Sequence, residues 1–242
     1  GVSAATLDRA QSFATLVEDR FGDAGCADGT RDKAGGCGGY GAWAFAIGSW
    51  YSQGADGARL GFRNDGVGVV AGIDRSAENG SLVGVSFGYA RNDLDMGAAA
   101  SQASGPSYFG SVYGRLVDRG VWFDGQVFYM RSDWSVSRAM SGVGVAASSP
   151  DTDSEGFLLQ ASAPVGDTGL RPYARFTYLL SNRNGVFEGG VGPLAFQINS
   201  EKQSAAVGEV GLRYESVFGT PGGWQVRPSL QLGVQGNAGD RD

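Results

Sequence analysis

The chain has 242 residues, 42 of them glycine, with only 18 % charged residues, a net charge of −6 and no histidine. One all-β domain accommodates that length; no basic stripe is left to follow a phosphate backbone, and Ser/His/Asp or Cys/His nucleophiles and His-containing zinc sites cannot be built. The longest apolar run, Gly66 to Ile73, falls well short of the ~18 residues of a membrane helix, yet barrel strands need only about 9–11.

The chain opens at Gly1 with neither Met nor signal peptide, which suggests a processed or excised piece. Residues 3–21 (SAATLDRAQSFATLVEDRF) predict a helix, because Leu7, Ala10, Phe13, Ala14, Leu16, Val17 and Phe21 recur at i, i+3, i+4. Ser3 or Thr6 can cap its start, Asp8 suits the first turn and Gly22 is expected to stop it. Arg9, Gln11, Glu18 and Asp19 fall on the other face. Such a helix could dock on an ordinary sheet, and a polar-walled lumen would accept it equally. Cys26 and Cys37 lie in the Gly- and Asp-rich stretch that follows; they are a disulfide candidate in an oxidising compartment, with two free thiols as the alternative.

From Tyr40 the period becomes two and predicts nine strands, roughly 41–51, 60–75, 81–95, 107–117, 121–138, 154–165, 170–183, 197–217 and 224–236. Short turns, at Glu78-Asn79-Gly80, Asp118-Arg119-Gly120, Asp167-Thr168-Gly169 and Thr220-Pro221-Gly222-Gly223, alternate with longer loops at 54–59, 97–106, 141–153 and 184–196. Short turns on one rim and long loops on the other is the pattern of outer-membrane barrels. In 224–236, for example, Leu230, Leu232 and Val234 alternate with Gln231, Gly233 and Gln235. A soluble sandwich also alternates. Strand length, aromatic residues near strand ends (Tyr40, Trp43, Trp50, Tyr51, Trp122, Trp224) and mid-strand charges favour the barrel.

The polar faces place Asp74, Arg115, Asp124, Arg171, Arg175, Glu209, Arg213, Glu215 and Arg227 in the interior, where they would line a lumen and meet a plug. Gly68, Gly72, Gly84 and Gly88 fall on the same inward positions, leaving room for a plug or relieving curvature. GVGVVAG lies inside an alternating strand with no helix after it, so it is no dinucleotide loop. Asp93 and Asp95, or Asp151, Asp153 and Glu155, lack calcium-loop spacing and read as solvated carboxylates. Asp124 with Glu209 could be staged as an acid/base pair, but nothing places a substrate there; no enzyme activity, metal or cofactor is expected.

Together the helix leading into GYGAWAFAIG, GVGVVAGIDRSAENGSLVGVSFGYARNDLD, SYFGSVYGRLVDRGVWFDGQVFYMRSDWSVSR, LRPYARFTYL with VFEGG, and GEVGLRYESV followed by VRPSLQLGVQG resemble the C-terminal translocator domain of autotransporters, the type V secretion proteins of Gram-negative bacteria. The resemblance implies an all-β fold, an antiparallel up-and-down transmembrane barrel of twelve strands with the N-terminal helix in its lumen, in the outer membrane with loops at the cell surface. It divides the chain into a lumen helix (1–22), a Gly-rich loop (23–39) and a barrel (40–242). It further implies that the domain carries or anchors an N-terminal passenger, and that its partners are outer-membrane lipid, that passenger and the barrel-assembly machinery. About nine strands precede Asp242, so the remaining strands, or another chain, are expected to close the wall. A helix-plugged porin-like channel and a soluble β-rich adhesin or lectin-like domain are the alternatives.

Overall fold

In the computed structural model, which describes residues 2–23, 39–54, 61–97, 101–166, 168–216, 218–219, 225–226 and 229–239, the period-two region folds as predicted into antiparallel strands. The elements are α1 (Val2–Asp23), β1 (Gly39–Gln53), β2 (Phe62–Ser76), β3 (Leu82–Met96), β4 (Ser101–Asp118), β5 (Val121–Asp133), β6 (Ser135–Met140), β7 (Gly144–Ser148), β8 (Asp151–Ser162), β9 (Leu170–Arg183), β10 (Val186–Phe187), β11 (Gln197–Ile198), β12 (Glu201–Glu215), β13 (Phe218–Gly219), β14 (Gln225–Val226) and β15 (Ser229–Ala238). Nine of them form the wall in the order β1-β2-β3-β4-β5-β8-β9-β12-β15, the up-and-down order of the expected barrel. Among the described residues β1 pairs only with β2 and β15 only with β12. Cys26, Cys37, Trp224, Arg227 and the turn at 220–223 lie outside the described residues.

Two of the expected loops are sheet. Residues 101–106 continue β4, in register with β3 from Met96↔Ser101 onward. The stretch 141–153 is a hairpin: β6 turns at 141–143 and returns as β7, on the same register that pairs β5 with β8. The backbone explains both. Ser, Ala and Gly side chains give no apolar alternation, but continuing an existing ladder satisfies every N–H and C=O at no cost in side-chain identity. The ladder is interrupted only at Trp134 and, opposite it, Ser149 and Pro150, where the Trp134 N–H donates to Pro150 O at 3.0 Å and keeps the register. Residues 184–198 fold on themselves as the β10–β11 ladder and one 3-10 turn, Gly192–Leu194, so the wall strand expected from 197 begins instead at Glu201. The β4–β5 turn is tight, with Arg119 at φ 48° and Gly120 at φ 80°.

The outer face carries Val69, Ile73, Val85, Phe87, Val112, Leu116, Val127, Leu159, Val210, Leu212, Leu232 and Val234, all exposed. A continuous exposed apolar face of this extent is stable only against lipid. Tyr89, Tyr108 and Tyr129 stand outward toward the long-loop rim, and Tyr40 toward the short-turn rim. The expected girdle is corrected at two residues: Trp43 and Trp122 share the parity of inward neighbours Gly72 and Asp124 and point inside. Trp50 and Tyr40 face outward as expected.

The sheet wraps around α1, whose Ala10, Phe13, Ala14 and Val17 pack with Ile47, Val70, Ala90, Phe109, Tyr113, Phe128, Met130 and Leu179 of the wall. The helix is longer than expected, running through Gly22 to Asp23, and Thr6 is an interior residue, not a cap. Replacing Val112 by Arg, at mid-wall on the outer face, is expected to cost about 2–4 kcal/mol and suppress the folded, heat-modifiable form in lipid. Val143→Arg, in the 141–143 turn, should leave it unchanged.

Candidate functional site

The inner face is polar because an apolar lining would leave the strands nothing to distinguish inside from outside; its charges are consequently buried and must be paired. Arg115 holds Asp124 through two hydrogen bonds, 2.5 and 2.9 Å, and Gln160 Nε2 donates to the same carboxylate at 3.3 Å. The Trp122 indole lies between two guanidiniums, that of Arg115 at 4.2 Å and that of Arg171 at 3.6 Å. Arg171 also faces Glu215 at 3.6 Å. On β9 and β12, Arg175 and Tyr173 both donate to Glu209, while Gln231 of β15 accepts from Arg213 at 2.7 Å and donates to Tyr173 at 2.8 Å. Glu215 also faces Arg213 at 3.9 Å and joins the two groups, so eight of the nine residues expected inside fall in one wall network plus Asp74 on β2; Arg227 is the ninth, outside the described residues.

The helix completes these networks. Glu18 accepts from both Arg175 and Arg213, the latter at 3.2 Å. Two residues on, Arg20 grips Asp74 with hydrogen bonds of 2.8 and 3.1 Å. Residues i and i+2 point to opposite sides of a helix, so one carboxylate and one guanidinium bind opposite walls and fix its rotation. Asp74 also accepts from Tyr113 at 3.0 Å, whose hydroxyl in turn accepts from Trp43 Nε1 at 2.6 Å. Near the other end, Arg9 donates to Ser49 at 2.7 Å and Trp134 Nε1 donates to Thr6 at 3.3 Å. Sequence reasoning placed Arg9 and Glu18 on a polar face without assigning partners; both are buried instead. Trp43, Tyr113 and Trp134 are further lumen residues, legible from parity along β1 and β4 and from the continuation of the β5 parity to Trp134.

These contacts also orient α1. Asp74 lies two residues from the β2–β3 turn, and Trp134 lies at the root of the β6–β7 hairpin. The helix therefore runs from the long-loop rim at its N-terminus to the short-turn rim at its C-terminus. Beside it, Gln11, Ser12, Thr15 and Leu16 face Ala46, Ile47 and Ser49 across a cavity of about 450 Å³.

Outside the wall, the 184–196 loop docks on the β6–β7 hairpin. Gly189 and Ala147 exchange backbone hydrogen bonds of 2.8 and 3.0 Å, and Glu188 accepts from Arg138 at 2.5 and 3.2 Å. The Arg138 guanidinium lies 4.4 Å from the Phe196 ring centroid. The hydrogen bond from Arg138 holds the Glu188 carboxyl below its ordinary value, with the Phe196 N–H adding to it against the effect of burial. The acidic residues of β8 face outward: Asp151 pairs with Arg131 at 2.8 Å and Asp153 accepts from Tyr129.

A family model described as the autotransporter β-domain matches residues 42–242. The translocator domain of autotransporter NalP from Neisseria meningitidis is similar in fold, with a TM-score of 0.66 at 17 % identity, covering 96 % of this chain and 86 % of that one. The β-domain of the Bordetella autotransporter BrkA gives 0.61 at 19 % identity, covering 84 % and 80 %. No curated protein sequence matches the chain.

Glu18→Ala leaves Arg175 and Arg213 buried with one fewer counter-charge and is expected to weaken helix docking by on the order of 3 kcal/mol. Amide exchange in α1 should then rise roughly 100-fold while the wall strands stay protected. The depressed Glu188 contributes fully above the ordinary carboxylate range, and its contribution is lost as pH falls through the lowered folded value. NMR of the Gly189 and Ala147 amides should show the loop undocking as pH falls below the ordinary carboxylate range, and Glu188→Gln should remove that pH dependence.

Proposed function

Because the chain belongs to the autotransporter β-domain family, we propose that it is an outer-membrane translocator that carries an N-terminal passenger to the cell surface and holds it there, with α1 parked in the lumen as the tether. The observation that supports this reading most directly is the orientation of α1. Its N-terminus stands at the long-loop rim, so any segment attached before it leaves the barrel on the outer side. Glu18 and Arg20, each bound to an opposite wall, favour a parked tether over the plug of an open porin-like channel. The exposed apolar band counts against a soluble adhesin.

Helix, Gly-rich connector and barrel act, in this reading, as tether (1–22), link (23–39) and wall (40–242). The edges of β1 and β15 that have no partner among the described residues would expose N–H and C=O groups to lipid, where nothing satisfies them. Further strands, or another chain, therefore complete the wall, and the barrel-assembly machinery inserts it. The role is transport without a catalytic step: of the two carboxylates that could act as acid and base, Asp124 is held by Arg115, and Glu209 by Arg175, which also binds Glu18.

The test is display of a reporter passenger fused ahead of α1 in the full-length protein. Surface labelling of the reporter on intact cells is expected, and removing residues 2–23 should raise the ion conductance of the purified barrel severalfold. A reporter that stays in the periplasm while the barrel is folded in the outer membrane would overturn the reading.

A further inference from the structure

Most inward glycines meet atoms of the wall itself. A Cβ on Gly72 would strike the Trp43 ring at 2.5 Å, one on Gly84 the Tyr113 ring at 2.5 Å, and one on Gly68 the backbone of Tyr89 at 2.5 Å. Gly41, Gly66 and Gly88 also meet the helix: a Cβ on Gly41 would lie 2.8 Å from Arg20 Nη2, beside the Asp74 carboxylate, while the faces of Gly66 and Gly88 are filled chiefly by helix side chains. A Cβ on Gly88 would lie 2.5 Å from Phe13 Cε1, 3.0 Å from Cδ1 and 3.3 Å from Cζ. A Cβ on Gly66 would lie 1.7 Å from Arg9 Nη2. The Phe13 ring is fully buried and stacks on Phe109 at 4.8 Å and 11°, and Phe109 lies against Phe128 at 5.8 Å.

We propose that Gly88, Phe109 and Phe128 form a slot that accepts a flat ring from the helix, and that with Gly66 as a notch for a guanidinium it fixes the depth at which α1 parks. The occupant is a helix carrying arginine and an aromatic residue at i and i+4, the spacing of Arg9 and Phe13, which places both on one face. The proposal rests on the translocator reading and deepens it, because it says which helix the lumen retains. A slip of one turn, about 5.4 Å, would bring Arg9 or Val17 over Gly88. Neither is a flat ring that can stack on Phe109, and the same slip would take Glu18 away from Arg175 and Arg213. Depth is therefore read at two levels of the helix at once.

The two glycines differ in stringency. The Arg9 guanidinium ends a flexible chain and can swing away from a new methyl group, losing Ser49. The Phe13 ring is rigid and stacked, so a methyl group on Gly88 pushes the whole helix outward.

The test uses the full-length protein in lipid and compares Gly88→Ala, Phe13→Leu and the double variant. The swap conserves volume, a small gain at one wall of the slot against a small loss at the other. Gly88→Ala should raise amide exchange over residues 9–18 at least about tenfold, with the heat-modifiable barrel band unchanged. The double variant should restore protection toward the Phe13→Leu level. Unchanged exchange in Gly88→Ala, or a double variant no better protected than Gly88→Ala, overturns the slot. If Gly88→Ala does not assemble, Phe13→Trp overfills the slot from the helix side with the wall sequence intact; raised exchange then supports the slot and wild-type exchange overturns it. Passenger display by the unaltered protein is scored separately. Its failure alongside the expected exchange pattern removes the translocator reading and leaves the slot standing.

Discussion

A wall one strand thick, apolar toward lipid, must find every partner for its inner polar face within its own volume. This constraint governs the rest of the molecule. Charges cannot be left to solvent when they are as buried as Asp124 and Arg115, so the strands bring opposite charges to adjacent positions in register. Where the wall alone does not balance them, the helix does. Arg175 and Arg213 on one side and Asp74 on the other are met by Glu18 and Arg20. The pairings are not a large source of net stability, since desolvation offsets most of the Coulombic gain. They make the wrong arrangement expensive, and rotation of α1 is fixed for that reason.

Packing supplies what the charges do not. Aromatic residues in a lumen this crowded need somewhere to lie flat, and strand glycines provide it: Trp43 over Gly72, Tyr113 over Gly84, Phe13 over Gly88. The residues that would weaken a soluble strand thus serve here as contact surface for large rings, and the glycine content follows from the need to fill a tube without swelling it.

The period-two pattern was enough to read the strand count, the up-and-down order and which side of each strand faces in, because lipid and lumen impose opposite preferences on neighbouring residues. It also placed Asp74, Arg115, Asp124, Arg171, Arg175, Glu209, Arg213 and Glu215 inside. It failed where identity and parity disagree. Trp43 and Trp122 were read as interfacial because tryptophan favours that depth, yet position along the strand outweighs residue preference, and cation–π contacts with Arg115 and Arg171 accommodate Trp122 inside. The 141–153 stretch reads as a loop in the sequence because its small residues carry no alternation, whereas backbone pairing needs none. Which wall charge meets which helix charge was not legible, because depth along the tube is set by contacts between residues far apart in the chain.

The unbroken register through Trp134 has a mechanical meaning. β5 and β6 form one ribbon and β7 and β8 another, joined at 141–143, so the hairpin at the long-loop rim is a stiff extension of the wall. Trp134 sits at its base with its indole against Thr6 of the helix. The outer end of α1 is thereby tied to the base of the hairpin as well as to the wall around it.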